Sequence, residues 1–192
     1  MRTLFAWLLL LAALPALAAE VAGVKFEAET KIDGAGQALV LNGAGLRRFV
    51  FFKVYAAGLY LPAKTTSAAE AIAAQGPKRI SIRMLRDVDA KEFSDALEKG
   101  LRENNSADEM KAIEPRLAEL LAIMTALKEA KEGMRIELDW RPGTGTVVVV
   151  DGALRGKPIA GEDFYRALLK VWLGEHPVQD DLKDAMLGKK AE

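Results

Sequence analysis

One stretch of the chain combines residue types that could do chemistry. Asn42-Gly43-Ala44-Gly45-Leu46-Arg47-Arg48 runs into the apolar, aromatic segment Phe49 to Leu61, which also carries Lys53, Tyr55 and Tyr60. This places a cation beside a greasy wall. A guanidinium drawn into apolar surroundings is costly unless it meets an anion. The pattern therefore suits an amphipathic carboxylate, with its tail in the apolar layer and its head on the fork of the arginine. The alternative is an Arg-Arg pair on a turn with a buried strand behind it. Alternation puts Arg47 and Arg48 on opposite faces, so only one of them can face a cleft.

Other chemistry is poorly supplied. There are no cysteines and one histidine, His176. A disulfide framework, a thiolate nucleophile and Cys-ligated metal are excluded, and most His-based sites with them. His176 reads as a residue near a helix C-terminus. The carboxylates have no metal-site spacing: Asp180-Asp181 reads as a helix start, and Glu137 and Asp139 as the polar face of a strand. Gly43 and Gly45 resemble a fragment of a phosphate loop, but no Lys-Ser/Thr follows and the next element is a strand. No cofactor and no metal is expected.

Twenty-seven Lys+Arg balance twenty-seven Asp+Glu among 192 residues, and 51% of residues are hydrophobic. This is the composition of a folded domain. Zero net charge argues against an electrostatic grip on nucleic acid or on an anionic membrane.

The first residues have the form of a secretory leader. Met1-Arg2-Thr3 precedes an apolar run from Leu4 to Leu14 and the small-residue stretch Pro15-Ala16-Leu17-Ala18-Ala19. Residues 1–18 are expected to be a signal peptide cleaved after Ala18, with Ala19 as the neighbouring choice. The run falls short of the about 20 residues that span a bilayer. The mature protein is expected to be periplasmic or secreted, without a transmembrane segment.

Residues 19–192 show no repeat, low-complexity segment or linker, and predict a single domain. Period-two alternation marks strands at 24–30, 38–42, 78–86 and 134–140, and the apolar run 49–61 reads as one long strand ended by Pro62. Thr146–Val150 reads as a buried strand, and Asp151-Gly152 as a tight turn into 153–159. Capping signals at Ser67, Asp89 and Ser106 open three helices, and Pro115 should break or kink the third near its first turns. Two further helices, 163–173 and 180–187, are stopped by Gly174 and Gly188. About seven antiparallel strands with grouped helices predict an α+β fold, with helices on one face of a sheet.

Gly43-Ala44-Gly45-Leu46-Arg47 and Phe52-Lys53-Val54-Tyr55-Ala56-Ala57-Gly58-Leu59-Tyr60-Leu61 resemble the signature of the chalcone isomerase-like superfamily. Lys91-Glu92-Phe93-Ser94, Leu173-Gly174-Glu175-His176-Pro177-Val178 and Asp180-Asp181-Leu182-Lys183 support it, in the right order. The resemblance implies an open-faced β-sandwich: a large antiparallel sheet, a layer of helices, and a ligand cleft between them.

It also implies roles. Arg47 matches the arginine that holds an oxyanion in the true isomerases. Their other polar site residues are replaced, by Tyr55 for a Thr, Phe93 for a Tyr, Gly100 for an Asn and Val171 for a Thr or Ser. A site that reads hydroxyls needs such partners, so the resemblance points to an exported, non-catalytic member. Arg47 with Tyr55 is similar to the carboxylate grip of the superfamily's fatty-acid-binding branch. Arg47, Tyr55, Phe93 and Val171 are thus the expected ligand-binding residues, for a fatty acid or similar amphipathic carboxylate. Two alternatives stay open. One is an isomerase or lyase with Arg47 as electrophile and Tyr55 or Tyr60 as proton donor. The other is an accessory protein acting through its surface.

Overall fold

A computed structural model describes residues 17–189. The predicted leader lies outside the described residues up to position 16. The N-terminal ribbon is β1 (Leu17–Val21) and β2 (Val24–Glu27). β3 (Glu29–Lys31), β4 (Ala38–Phe49) and β5 (Phe52–Leu61) follow, then α1 (Ala68–Ala73) and β6 (Lys78–Met84). β7 (Val88–Asp89) leads into α2 (Ala90–Asn104) and α3 (Ala107–Thr125), and β8 (Glu129–Ala130) pairs back to β7. β9 (Arg135–Arg141), β10 (Gly145–Val150) and β11 (Ala153–Ile159) form a meander, closed by α4 (Glu162–Leu173) and α5 (Asp180–Met186).

The main sheet has seven strands in the order β11-β10-β9-β6-β5-β4-β3, every neighbouring pair antiparallel. Alternation sends Leu59, Leu61, Ile80, Ile82, Ile136 and Leu138 to one face, where they meet Leu101, Ile113, Leu117, Phe164 and Trp172 from the helices. Each such side chain contributes about 1.5–3 kcal/mol by leaving water. A smaller core of Phe26, Ile32, Leu39, Leu41, Ala56 and Tyr60 forms on the opposite face. This is the α+β, open-faced arrangement expected from the sequence.

The helix starts follow the capping signals. Ser67 accepts from Glu70 N–H, Asp89 from the N–H groups of Lys91 and Glu92, and Ser106 and Glu109 complete a capping box.

Four expectations are corrected. The strand predicted over 24–30 is broken at Ala28 into β2 and β3, which join different sheets. The run 49–61 is not one strand, because Val50 and Phe51 turn the chain and β5 begins at Phe52. Pro115 does not end α3. Pro115 and Lys111, whose carbonyl it deprives of a donor, both lie on the exposed side, while Ile113, Leu117 and Leu120 keep the inner face packed. Asp139 is no solvated strand residue. It is fully buried and accepts from Arg79 Nε at 2.6 Å and Nη2 at 2.9 Å, beneath the N-terminal strands.

Gly43 and Gly45 are interior strand residues of β4 with a packing role. A Cβ on Gly43 would stand 2.1 Å from the Ala185 carbonyl oxygen, and one on Gly45 would stand 2.7 Å from the Ala185 Cβ. Their lack of side chains lets α5 lie directly on the strand that carries Arg47. No helix among the described residues is long and apolar enough to cross a membrane.

Candidate functional site

Between the end of the β4–β5 hairpin and the helices α2 and α4 lies an open cavity of about 350 Å³. That falls within the about 300–1,000 Å³ of small-molecule sites. Its wall brings together all four residues nominated from sequence, Arg47, Tyr55, Phe93 and Val171, and Gly100 lies beside them.

Each is positioned by its element. Arg47 and Tyr55 are register partners across the β4–β5 ladder, so their side chains emerge side by side. The ladder shifts register between Arg47 and Arg48. Arg47 turns to the cavity, while Arg48 is exposed and does not line it. This decides between the two arginines. Phe93 comes from the first turns of α2 and meets Tyr55 edge to face, with ring centroids 6.3 Å apart and planes at 84°. Val171, on α4, is buried against Gly100 of α2. Leu97, Val54 and Val88 extend the apolar wall.

Trp172 was not nominated from the sequence, yet it completes the site. Its indole N–H donates to the Tyr55 hydroxyl at 3.1 Å. A buried indole needs an acceptor, and that requirement beside Val171 was the available signal. While accepting from Trp172, the Tyr55 hydroxyl still has its own proton to give, and no acceptor for it is found among the described residues. Burial pushes the Tyr55 pKa up to about 12, against the opposing effects of the Trp172 hydrogen bond and the nearby Arg47 charge. At neutral pH the group is a hydrogen-bond donor, not a base.

Among the described residues Arg47 has no carboxylate partner. It donates to the backbone carbonyl of Arg48 and, at 3.3 Å, to Gln179 Oε1. The same Gln179 oxygen accepts from Arg48 N–H at 2.8 Å, and the Gln179 amide donates to the Leu46 carbonyl at 3.2 Å. A neutral amide thus stands where an anion could sit. His176, beyond the end of α4, lies at the rim. Asn104 holds the His176 backbone, accepting its N–H at 2.8 Å and donating to its carbonyl at 2.7 Å.

Tyr60, the other candidate proton donor, lies on the opposite face of the sheet. Its hydroxyl donates to the Glu27 carbonyl at 3.1 Å. Of the two tyrosines named as proton donors, only Tyr55 lines the cavity with Arg47. The cavity is open space at Arg47, which weakens the reading in which only the outer surface matters.

The sequence profile described as chalcone isomerase-like matches residues 18–188. No curated protein matches the sequence. Among solved structures, the chain resembles a fatty-acid binding protein of Arabidopsis thaliana, with a TM-score of 0.64 at 17% identity. The similarity covers 86% of this chain and 92% of that one. At that identity the likeness is one of fold.

Proposed function

The chain belongs to the chalcone isomerase-like family, and from that premise we propose that it is a non-catalytic binding protein for a fatty acid or similar amphipathic carboxylate. The observation that carries the reading is the Arg47 guanidinium, with no carboxylate partner among the described residues, at the mouth of a largely apolar cavity and beside the Tyr55 hydroxyl. A carboxylate displacing Gln179 Oε1 gains a charge-assisted bond from Arg47 and a second from Tyr55. The acyl chain then lies against Phe93, Leu97 and Val171. The fold shared with a fatty-acid binding protein supports this reading. So does the absence of hydroxyl or amide side chains at positions 93, 100 and 171.

The protein is further proposed to act after export, on the strength of the leader-like composition of residues 1–18. A cut after Ala18 is compatible with the fold. It removes the Leu17↔Glu27 pair and leaves Ala19↔Phe26, Glu20↔Lys25 and Val21↔Val24 in the β1–β2 ladder.

Native mass spectrometry of protein purified from its host, with extraction of anything bound, tests the binding reading. A co-purifying fatty acid that is absent from Arg47→Ala is the expected result. A clean protein that also fails to take up added fatty acids overturns it. N-terminal sequencing of the same material, expected to begin at Ala19, tests the export reading.

A further inference from the structure

Among the described residues, the exposed large hydrophobic side chains concentrate at the tip of the β4–β5 hairpin. Five large hydrophobic side chains are exposed among the described residues. Four of them are consecutive: Phe49 at 60%, Val50 at 69%, Phe51 at 93% and Phe52 at 57%. Such a patch marks an interaction surface.

The local geometry disfavours this sequence for a free hairpin. Phe49 and Phe52 form the last rung, and Val50 begins the two-residue turn at φ 55°. A glycine or asparagine adopts that conformation easily, whereas a β-branched residue is strained there. One rung back, Arg48 stands directly opposite Lys53. Like charges so placed repel. Arg86 adds a third cation, its guanidinium 4.8 Å from the centre of the Phe52 ring. Asp87, next to Arg86 in sequence, accepts from the Glu132 N–H at 2.7 Å and keeps its charge, so the three cations outnumber this neighbouring carboxylate.

We propose that this tip docks on the surface of an anionic phospholipid bilayer, with Val50 and Phe51 entering the acyl boundary and Arg48, Lys53 and Arg86 meeting lipid phosphates. Strand geometry agrees with the depth required. Two residue steps, from Arg48 to Val50, carry the chain from the Arg48–Lys53 rung to the turn, about 7 Å at the rise of an extended strand. Interfacial apolar groups sit about 5–10 Å deep. A ring of cations behind a narrow apolar point matches a layer of phosphates over hydrocarbon, and the repulsion between Arg48 and Lys53 is relieved when anions come between them. The zero net charge of the chain conceals this local collar.

Phe49 and Arg47 also line the cavity, so docking brings the cavity mouth to the bilayer. Exchange of an acyl ligand along that route rests on the proposed function above; the docking itself does not.

Sedimentation of the full chain with vesicles tests the proposal, using phosphatidylcholine alone or mixed with phosphatidylglycerol. The wild type is expected to sediment with the mixed vesicles and to be released by salt. Phe51→Asp and Phe51→Ser, at a side chain exposed on nearly all sides, should each weaken sedimentation at least about tenfold. Arg48→Glu with Lys53→Glu should abolish the preference for phosphatidylglycerol. No sedimentation of the wild type overturns the proposal, as does unchanged sedimentation of both Phe51 variants. A wild-type dimer dissolved by Phe51→Ser, without vesicle binding, assigns the tip to a second copy of the chain instead. Uptake of a fluorescent fatty acid in solution, measured in parallel, separates the two readings. Vesicle binding without uptake keeps the docking and dismisses the acyl ligand, and uptake without vesicle binding does the reverse.

Discussion

Gly100 on α2 and Val171 on α4 compete for the same space: a Cβ built on Gly100 would stand 2.9 Å from Val171 Cγ1. Replacing glycine by alanine inside a helix ordinarily stabilises by about 1 kcal/mol. Here overpacking, at about 1–3 kcal/mol, opposes that gain. Gly100→Ala is expected to be neutral to destabilising, and Gly100→Asn clearly destabilising. Each should cost less in a Val171→Ala background. Urea unfolding of the four members of each cycle measures the coupling, and additivity would show that the two positions do not compete.

Gln179 gives a sharper test of the carboxylate grip than removing the arginine. Gln179→Glu keeps an oxygen for Arg48 N–H but places a permanent counter-charge on Arg47. An acid at the N-cap of α5 suits the helix dipole, but the change replaces the amide that donates to the Leu46 carbonyl by a carboxylate oxygen, so a lowered urea midpoint is expected alongside. Affinity for a fatty acid is expected to fall by about tenfold or more, equivalent to about 1.4 kcal/mol. Affinity for the methyl ester of the same acid should be unchanged. Titration calorimetry with both ligands reads the difference.

Alkaline conditions should unfold the protein through its buried tyrosines. Tyr55 and Tyr60 are each pushed from 10.0 up to about 12, mainly by burial. Above pH 10 the unfolded chain releases these protons while the folded chain keeps them. The stability they contribute is full below pH 10 and is lost as the pH rises through about 12. Thermal melts across this range are expected to show a falling midpoint, with a shallower fall in Tyr55→Phe. That variant should also lose about 1–3 kcal/mol at neutral pH, because the Trp172 N–H is left without its acceptor.

The buried pair on the far side of the sheet should matter to stability and not to the cavity. Asp139→Ala leaves the Arg79 guanidinium without the bidentate partner that holds its charge. Glu137, 3.3 Å from Arg79 Nη1, still partly compensates that charge, so the expected cost lies at the lower end of about 3–5 kcal/mol, seen as a lowered urea midpoint. At temperatures where the variant remains folded, fatty-acid affinity should match the wild type.

Local signals in the sequence were strong wherever one residue decides one geometry. The caps at Ser67, Asp89 and Ser106, the Asp151-Gly152 turn and the alternation of Ile80, Ile82 and Met84 each translate directly into structure. What was not legible depends on partners far along the chain. The hairpin tip at Val50 carries no glycine, asparagine or proline, so an apolar run hid a turn. Asp139 looks solvated until Thr30 and Tyr60 are seen on the face it shares with Arg79. Alternation could not separate Arg47 from Arg48; the family resemblance chose Arg47, and the ladder's shift in register shows how it comes to line the cavity. Trp172 became a site residue only because Tyr55 lies opposite it.

The seat of α5 on β4 governs when the molecule can become competent. The strand bearing Arg47 is held from above by α5, where the Asn42 amide donates to the Met186 carbonyl across 144 residues of sequence at 2.8 Å. Contacts of such span form late, since a long loop must close first. During synthesis the sheet's central strands and α2 to α4 can assemble while Arg47 still lacks Gln179 and the strand beneath it lacks its cover. Maturation of the cavity is thereby coupled to arrival of α5, and a nascent protein without it exposes the bare glycine track at Gly43 and Gly45 to whatever chaperone attends it.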